Sequence, residues 1–92
     1  MSGVILTAHV KDATKWEKSF RGHTDLFRRN NISLINYTIT KDNDVVMYSE
    51  TNDVKSYMSF VQSPEVAQAM EEDGVDRSTV KVYPLDKQLK PS

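Results

Sequence analysis

Residues 32–50 read ISLINYTITKDNDVVMYSE. Two runs rich in β-branched and aromatic residues flank a polar cluster, Lys41-Asp42-Asn43-Asp44. Period-two alternation on either side of such a cluster is the pattern of two strands joined by a hairpin loop. In the first run Ile35, Tyr37 and Ile39 point one way, and Leu34, Asn36 and Thr38 the other. The second run, Val45 to Glu50, is a strand by composition.

Working outward, each strand has a helix on its far side. Before the hairpin, Trp16, Phe20, His23 and Phe27 recur at spacings of four, three and four, one apolar helical stripe. Asp12 is a suitable N-cap for it. The helix is expected to run to about Arg29, with Asn30-Asn31 supplying a left-handed end residue. Ahead of that helix, Gly3 to Val10 alternates, with Val4, Leu6, Ala8 and Val10 on one face and Ile5, Thr7 and His9 on the other.

After the hairpin, Thr51-Asn52-Asp53 offers a second N-cap, and Val54, Tyr57, Met58 and Val61 keep helical spacing. Ser63-Pro64 interrupts them. The residue before a proline is pushed out of the helical region. Serine as N-cap with proline at the first helical position then restarts a helix, so a broken second helix is expected. Gly74 fits the position just past its end. Ser78 to Pro84 reads as the last strand. Residues 85–92 form a polar tail, free or laid over a partner chain, after a single domain spanning 1–84.

Strand, helix, strand, strand, helix, strand is the ferredoxin-like βαββαβ order. The expected class is α+β: a four-stranded antiparallel sheet with both helices on one face. The other face would display Ile5, Leu34 and Tyr48. A bare face of that kind marks an interaction surface. The chain has 92 residues and is 38% hydrophobic, a thin core for a self-sufficient domain. A second copy of the chain would supply the missing burial.

The composition excludes several classes. Without cysteine there are no disulfides and no thiolate metal sites. Two distant histidines and scattered acids give no metal-ligand spacing, and three separated glycines give no phosphate loop. No long apolar run or leader is evident, so a cytoplasmic protein is expected. Net charge is −1. The basic side chains gather in residues 11–29 and the acids in 41–76, but no dense basic face with interleaved aromatics suggests nucleic acid.

Asp12, Trp16, Phe20 and His23, with the strand opening at Ile32, resemble the first half of the dimeric α/β-barrel proteins. The stretch Phe60-Val61-Gln62-Ser63-Pro64-Glu65, continuing through Ala69-Met70 to Gly74-Val75, strengthens the likeness to the antibiotic-biosynthesis-monooxygenase-like group and its small uncharacterised members. The resemblance covers residues 3–84. It implies a homodimer whose sheets pair as a barrel, with a cavity in each protomer. It also implies a range of activities, from cofactor-independent monooxygenase, isomerase or cyclase chemistry on an apolar or aromatic ligand to haem degradation, dehalogenation or no known activity. Fold does not choose among them.

His9 and His23 are the candidate catalytic residues, since imidazole exchanges protons near neutral pH. The plainer alternatives are a strand-end histidine with one ordinary hydrogen bond, and a boundary residue in an apolar stripe. Asn36, Tyr48 and Glu50 are the candidate ligand-binding residues, Tyr48 and Glu50 sharing a strand face. Trp16, Phe20, Phe27, Tyr57, Met58, Phe60 and Met70 read first as core and second as pocket lining. No cofactor is expected. The competing readings are a non-enzymatic interaction or stress-type dimer and, less favoured, a haem protein using His23.

Overall fold

The computed structural model describes residues 1–87, Leu89 and Pro91; part of the tail expected over 85–92 lies outside the described residues. Along the chain come β1 (Ser2–Val10), α1 (Ala13–Arg21), α2 (Asp25–Arg29), β2 (Ile32–Ile39), β3 (Asp44–Thr51), α3 (Val54–Val61), α4 (Pro64–Glu72) and β4 (Val75–Pro84). The strands form one sheet in the order β2-β3-β1-β4, every neighbouring pair antiparallel. This is the βαββαβ ferredoxin-like arrangement, with helices on one face and each helical segment in two pieces.

Local chemistry sets the helix starts. The Asp12 carboxylate accepts from the Lys15 amide at 3.0 Å, and Asp53 accepts from the Lys55 and Ser56 amides at 3.0 and 3.2 Å. Ser63 accepts from the Val66 amide at 3.2 Å, with Pro64 in the first turn of α4. Each cap satisfies amides that have no intrahelical partner. Gly74 follows α4 at φ 75°, where a Cβ would be strained. Asn31 takes φ 58° after α2, a value that asparagine tolerates better than most residues.

Three sequence expectations are corrected. The first helix does not run unbroken to Arg29: it stops at Arg21 and resumes at Asp25. Glycine is a poor helix former, and beyond Gly22 the chain tightens, the His23 amide reaching Phe20 O at 2.8 Å and the Leu26 amide reaching His23 O at 3.0 Å. The last strand begins at Val75, not Ser78, because Val75 and Asp76 already pair with Val10 and His9. Leu34 faces the helices, not the open side. The register slips between Leu34 and Asn36, leaving Ile35 as an extra residue that reverses the alternation. Ile32 and Leu34 therefore share the helix side with Tyr37 and Ile39, and Asn36 and Thr38 take the open side.

The helix side of the sheet holds the core. Val4, Val10 and Val45 are at most 2% exposed. Trp16 stacks on Phe20 at 4.7 Å, Phe20 meets Tyr37 edge-on at 5.0 Å, and Phe27 meets Phe60 at 5.1 Å. Such pairs contribute about 0.5–1.5 kcal/mol each beyond their buried area. Among the described residues, the buried hydroxyls of Ser49 and Tyr57 have no partner in good hydrogen-bond geometry; burial pushes the Tyr57 phenol up to about 12, and the neighbouring Ser49 hydroxyl works against that push. The open side presents Ile5, Thr7, Val46 and Tyr48, all half-buried, with Ile35 and Tyr83 about half exposed. Among the described residues, no helix is long and apolar enough to cross a membrane.

Candidate functional site

Between the sheet and the helices lies an internal cavity of about 60 Å³. Leu6 and Met47 from the sheet, Phe20 from α1 and Phe60 from α3 form much of its wall. His23 and Asp73 are the only ionisable side chains among its described lining residues. An apolar hollow with a few convergent polar groups is the usual form of a small-molecule site.

The two groups come from different halves of the chain's helical layer. His23 sits in the joint between α1 and α2, where the helix break turns its ring toward α4. Asp73 is the C-cap of α4, and its side chain is only 4% exposed. His23 Nδ1 lies 3.1 Å from Asp73 Oδ2, and the Ser19 hydroxyl donates to Asp73 Oδ1. A carboxylate can only accept, so the Nδ1 of His23 carries a proton. His23 Nε2 stands 3.4 Å from Glu72 Oε2, an ion-pair distance at which no hydrogen bond forms here. Nε2 is thus the nitrogen without a hydrogen bond, with the half-exposed Glu72 carboxylate beside it.

The cluster balances charge at the end of α4. Glu71, Glu72 and Asp73 crowd the end of α4, and the last turn holds no basic residue. Carboxylates there oppose the negative end of the helix dipole. Ser19 and His23 supply the compensating donors. Sequence reasoning missed Asp73 and Ser19. The signal it could have used was a run of three acids before a helix-ending glycine, an arrangement that calls for a cation from elsewhere.

The other nominated residues lie on the far side of the sheet. His9 is exposed at one end of the open face, its Nδ1 3.0 Å from Asp44 Oδ1. Asp76 pairs with it from β4, its carboxyl held below the usual range chiefly by hydrogen bonds from Ser78. Tyr48 and Glu50 meet at 3.3 Å, and Asn36 is the cross-strand neighbour of Tyr48. Burial pushes the Tyr48 phenol up, and the Glu50 carboxylate adds to the push. Gly3 makes room for this ring: a Cβ there would meet Tyr48 Cε1 and its hydroxyl at 2.9 Å. The structure thus brings Asn36, Tyr48 and Glu50 together, and puts the sheet between them and His23. Within one chain the two histidines share no cavity.

The residues present do not suit a metal or a haem. Among the described residues, no group of three or more potential ligands converges. His23 has a carboxylate beside each ring nitrogen, and a hollow of about 60 Å³ is far smaller than a macrocycle.

No family model matches the chain, and no curated protein matches it. Solved structures do. An uncharacterised NIPSNAP domain protein from Burkholderia xenovorans is 10% identical, with all of both chains covered and a TM-score of 0.71. An antibiotic biosynthesis monooxygenase is 14% identical over 97% of this chain and 100% of that one, TM-score 0.66. SnoaB, a cofactor-independent oxygenase from Streptomyces nogalater seen as a point variant, is 16% identical over 99% of this chain and 97% of its own, TM-score 0.59. The likeness lies in the fold alone: this chain has the ferredoxin-like α+β fold of these antibiotic biosynthesis monooxygenase and NIPSNAP domain proteins.

Proposed function

We propose that the protein is a homodimer that binds a small apolar or aromatic molecule in the internal cavity and moves a proton on it through His23. The observation that carries this reading is the lining: an apolar wall interrupted by one hydrogen-bonded His–Asp pair. His23 Nε2 would take a proton from a C–H or O–H next to a carbonyl. That step is common to cofactor-free oxygenation, isomerisation and cyclisation. Asp73, steadied by Ser19, is a positioning residue that fixes the tautomer and shares the charge of the imidazolium. Association through the open face is supported by its half-buried Ile5, Val46 and Tyr48 and by the fold. The cavity is well below the roughly 300 Å³ of a typical ligand site, so binding moves side chains, the thioethers of Met47 and Met70 being the softest.

The test uses 2-indanone, an apolar aromatic ketone with acidic C–H bonds. In deuterated water the protein is expected to speed deuterium uptake by about 10²-fold or more. His23→Gln should abolish the acceleration while binding, followed by amide NMR shifts, persists. Binding without acceleration would leave a binding module and remove the proton-transfer role. Absence of binding at cavity residues would remove the proposal altogether.

A further inference from the structure

Two hollows share a wall. Val61 and Met70 line the internal cavity and also an outer groove of about 320 Å³ bounded by α3, α4 and β4. The rest of the groove is Met58, Val80 and Val82, with Gln62 and Arg77 as its polar members. No carboxylate lines it among the described residues, and there Arg77 makes no ion pair. The groove therefore presents one positive charge over an apolar floor.

The irregular part of β4 builds this arrangement. Asp76 pairs with His9 and Lys81 with Thr7, so residues 77–80 all stand against Ala8. A bulge of this kind re-aims side chains and is common beside functional sites. Here it resets the alternation, so that Arg77, Val80 and Val82 all line the groove on the helix side.

We infer that the ligand is an apolar carboxylate, its tail passing between Val61 and Met70 into the cavity and its head held by Arg77. This deepens the reading above and rests on it. A guanidinium presents paired N–H donors that match a carboxylate bidentately. The amide of Gln62 adds a donor on the opposite wall. Met70, unbranched and polarisable, can swing aside at small cost. Cavity and groove together reach the volume of a typical ligand site, which the cavity alone does not.

The test follows Trp16, the single tryptophan of the chain and part of the cavity wall. The full chain is titrated with octanoate, 1-octanol and octylammonium while tryptophan fluorescence is read. Octanoate is expected to bind about tenfold more tightly than octanol, and octylammonium more weakly than either. Arg77→Ala should erase the preference and leave octanol unchanged; Arg77→Lys should restore part of it. If octanoate and octanol reach Trp16 equally well, or the preference survives Arg77→Ala, the head-group assignment is wrong and the cavity reading stands. If none of the three perturbs Trp16, the cavity reading fails and takes this inference with it.

Discussion

Replacing Asp73 by alanine tests whether the Ser19–Asp73–His23 cluster holds the helical layer together. Two donors lose a charged acceptor, and hydrogen bonds to charged groups contribute about 1.5–3 kcal/mol each. The full sum is not lost. The His23 side chain is 25% exposed, so water can take over its N–H. Removing an acid from the end of α4 also returns about 0.3–1 kcal/mol of helix-dipole repulsion. The expected net cost is about 2 kcal/mol, with the Ser19 hydroxyl and the vacated buried volume as the main contributors. For a chain of this size that lowers Tm by roughly 10 °C. Urea denaturation of the two single variants and the double variant with His23→Ala completes the test. Asp73→Ala should cost about 1 kcal/mol less in the His23→Ala background. A variant within about 0.5 kcal/mol of the parent, or strict additivity, would refute the argument that these groups compensate one another.

Asp53 is held below its ordinary 3.8 by hydrogen bonds from Ser56, the side-chain one largest. A depressed carboxyl contributes stability that is present above its unfolded value and lost as pH falls through its folded one. Asp53→Ala should therefore destabilise at pH near 7 and have little effect well below the folded value, as paired thermal melts would show; an equal loss at both pH values would contradict the assignment. Gly3→Ala should displace the Tyr48 ring, whose atoms lie 2.9 Å from the new Cβ, and lower the phenol's titration midpoint, read by ultraviolet absorbance; an unmoved midpoint would mean the ring is not confined there. Val46→Glu places a charge among Thr7, Thr38 and Tyr48 on the open face; light scattering should report the mass of two chains for the parent and of one for the variant, and an unchanged mass would count against pairing through this face.

Much of the fold was legible because its determinants are local. Ser63-Pro64 specifies a helix restart whatever surrounds it, and Asp12, Asp53 and Gly74 mark helix ends by their own backbone chemistry. Leu34 was misplaced because strict alternation carries no mark of one inserted residue, and Ile35 is that residue. The joint at Gly22 was hidden by a stripe of Trp16, Phe20 and Phe27 that stays apolar across the break. The site was less legible because it is assembled by long-range contact. His23 and Asp73 are fifty positions apart, and the run of acids that ends α4 calls for a partner without marking which acid is buried or which residue meets it. The pairing of the two histidines was open in sequence, and the sheet that separates them exists only once the strands have paired.

The proposed role of His23 requires an apolar hollow beside it that accepts a guest, and a crystal pressurised with xenon examines that hollow directly. Engineered apolar cavities take up xenon and stay dry without it. A single strong xenon peak is expected between Phe20, Met47 and Phe60, lost when Ala69→Leu fills the space. Ordered water at that position, or xenon found only on the open face of the sheet, would contradict it.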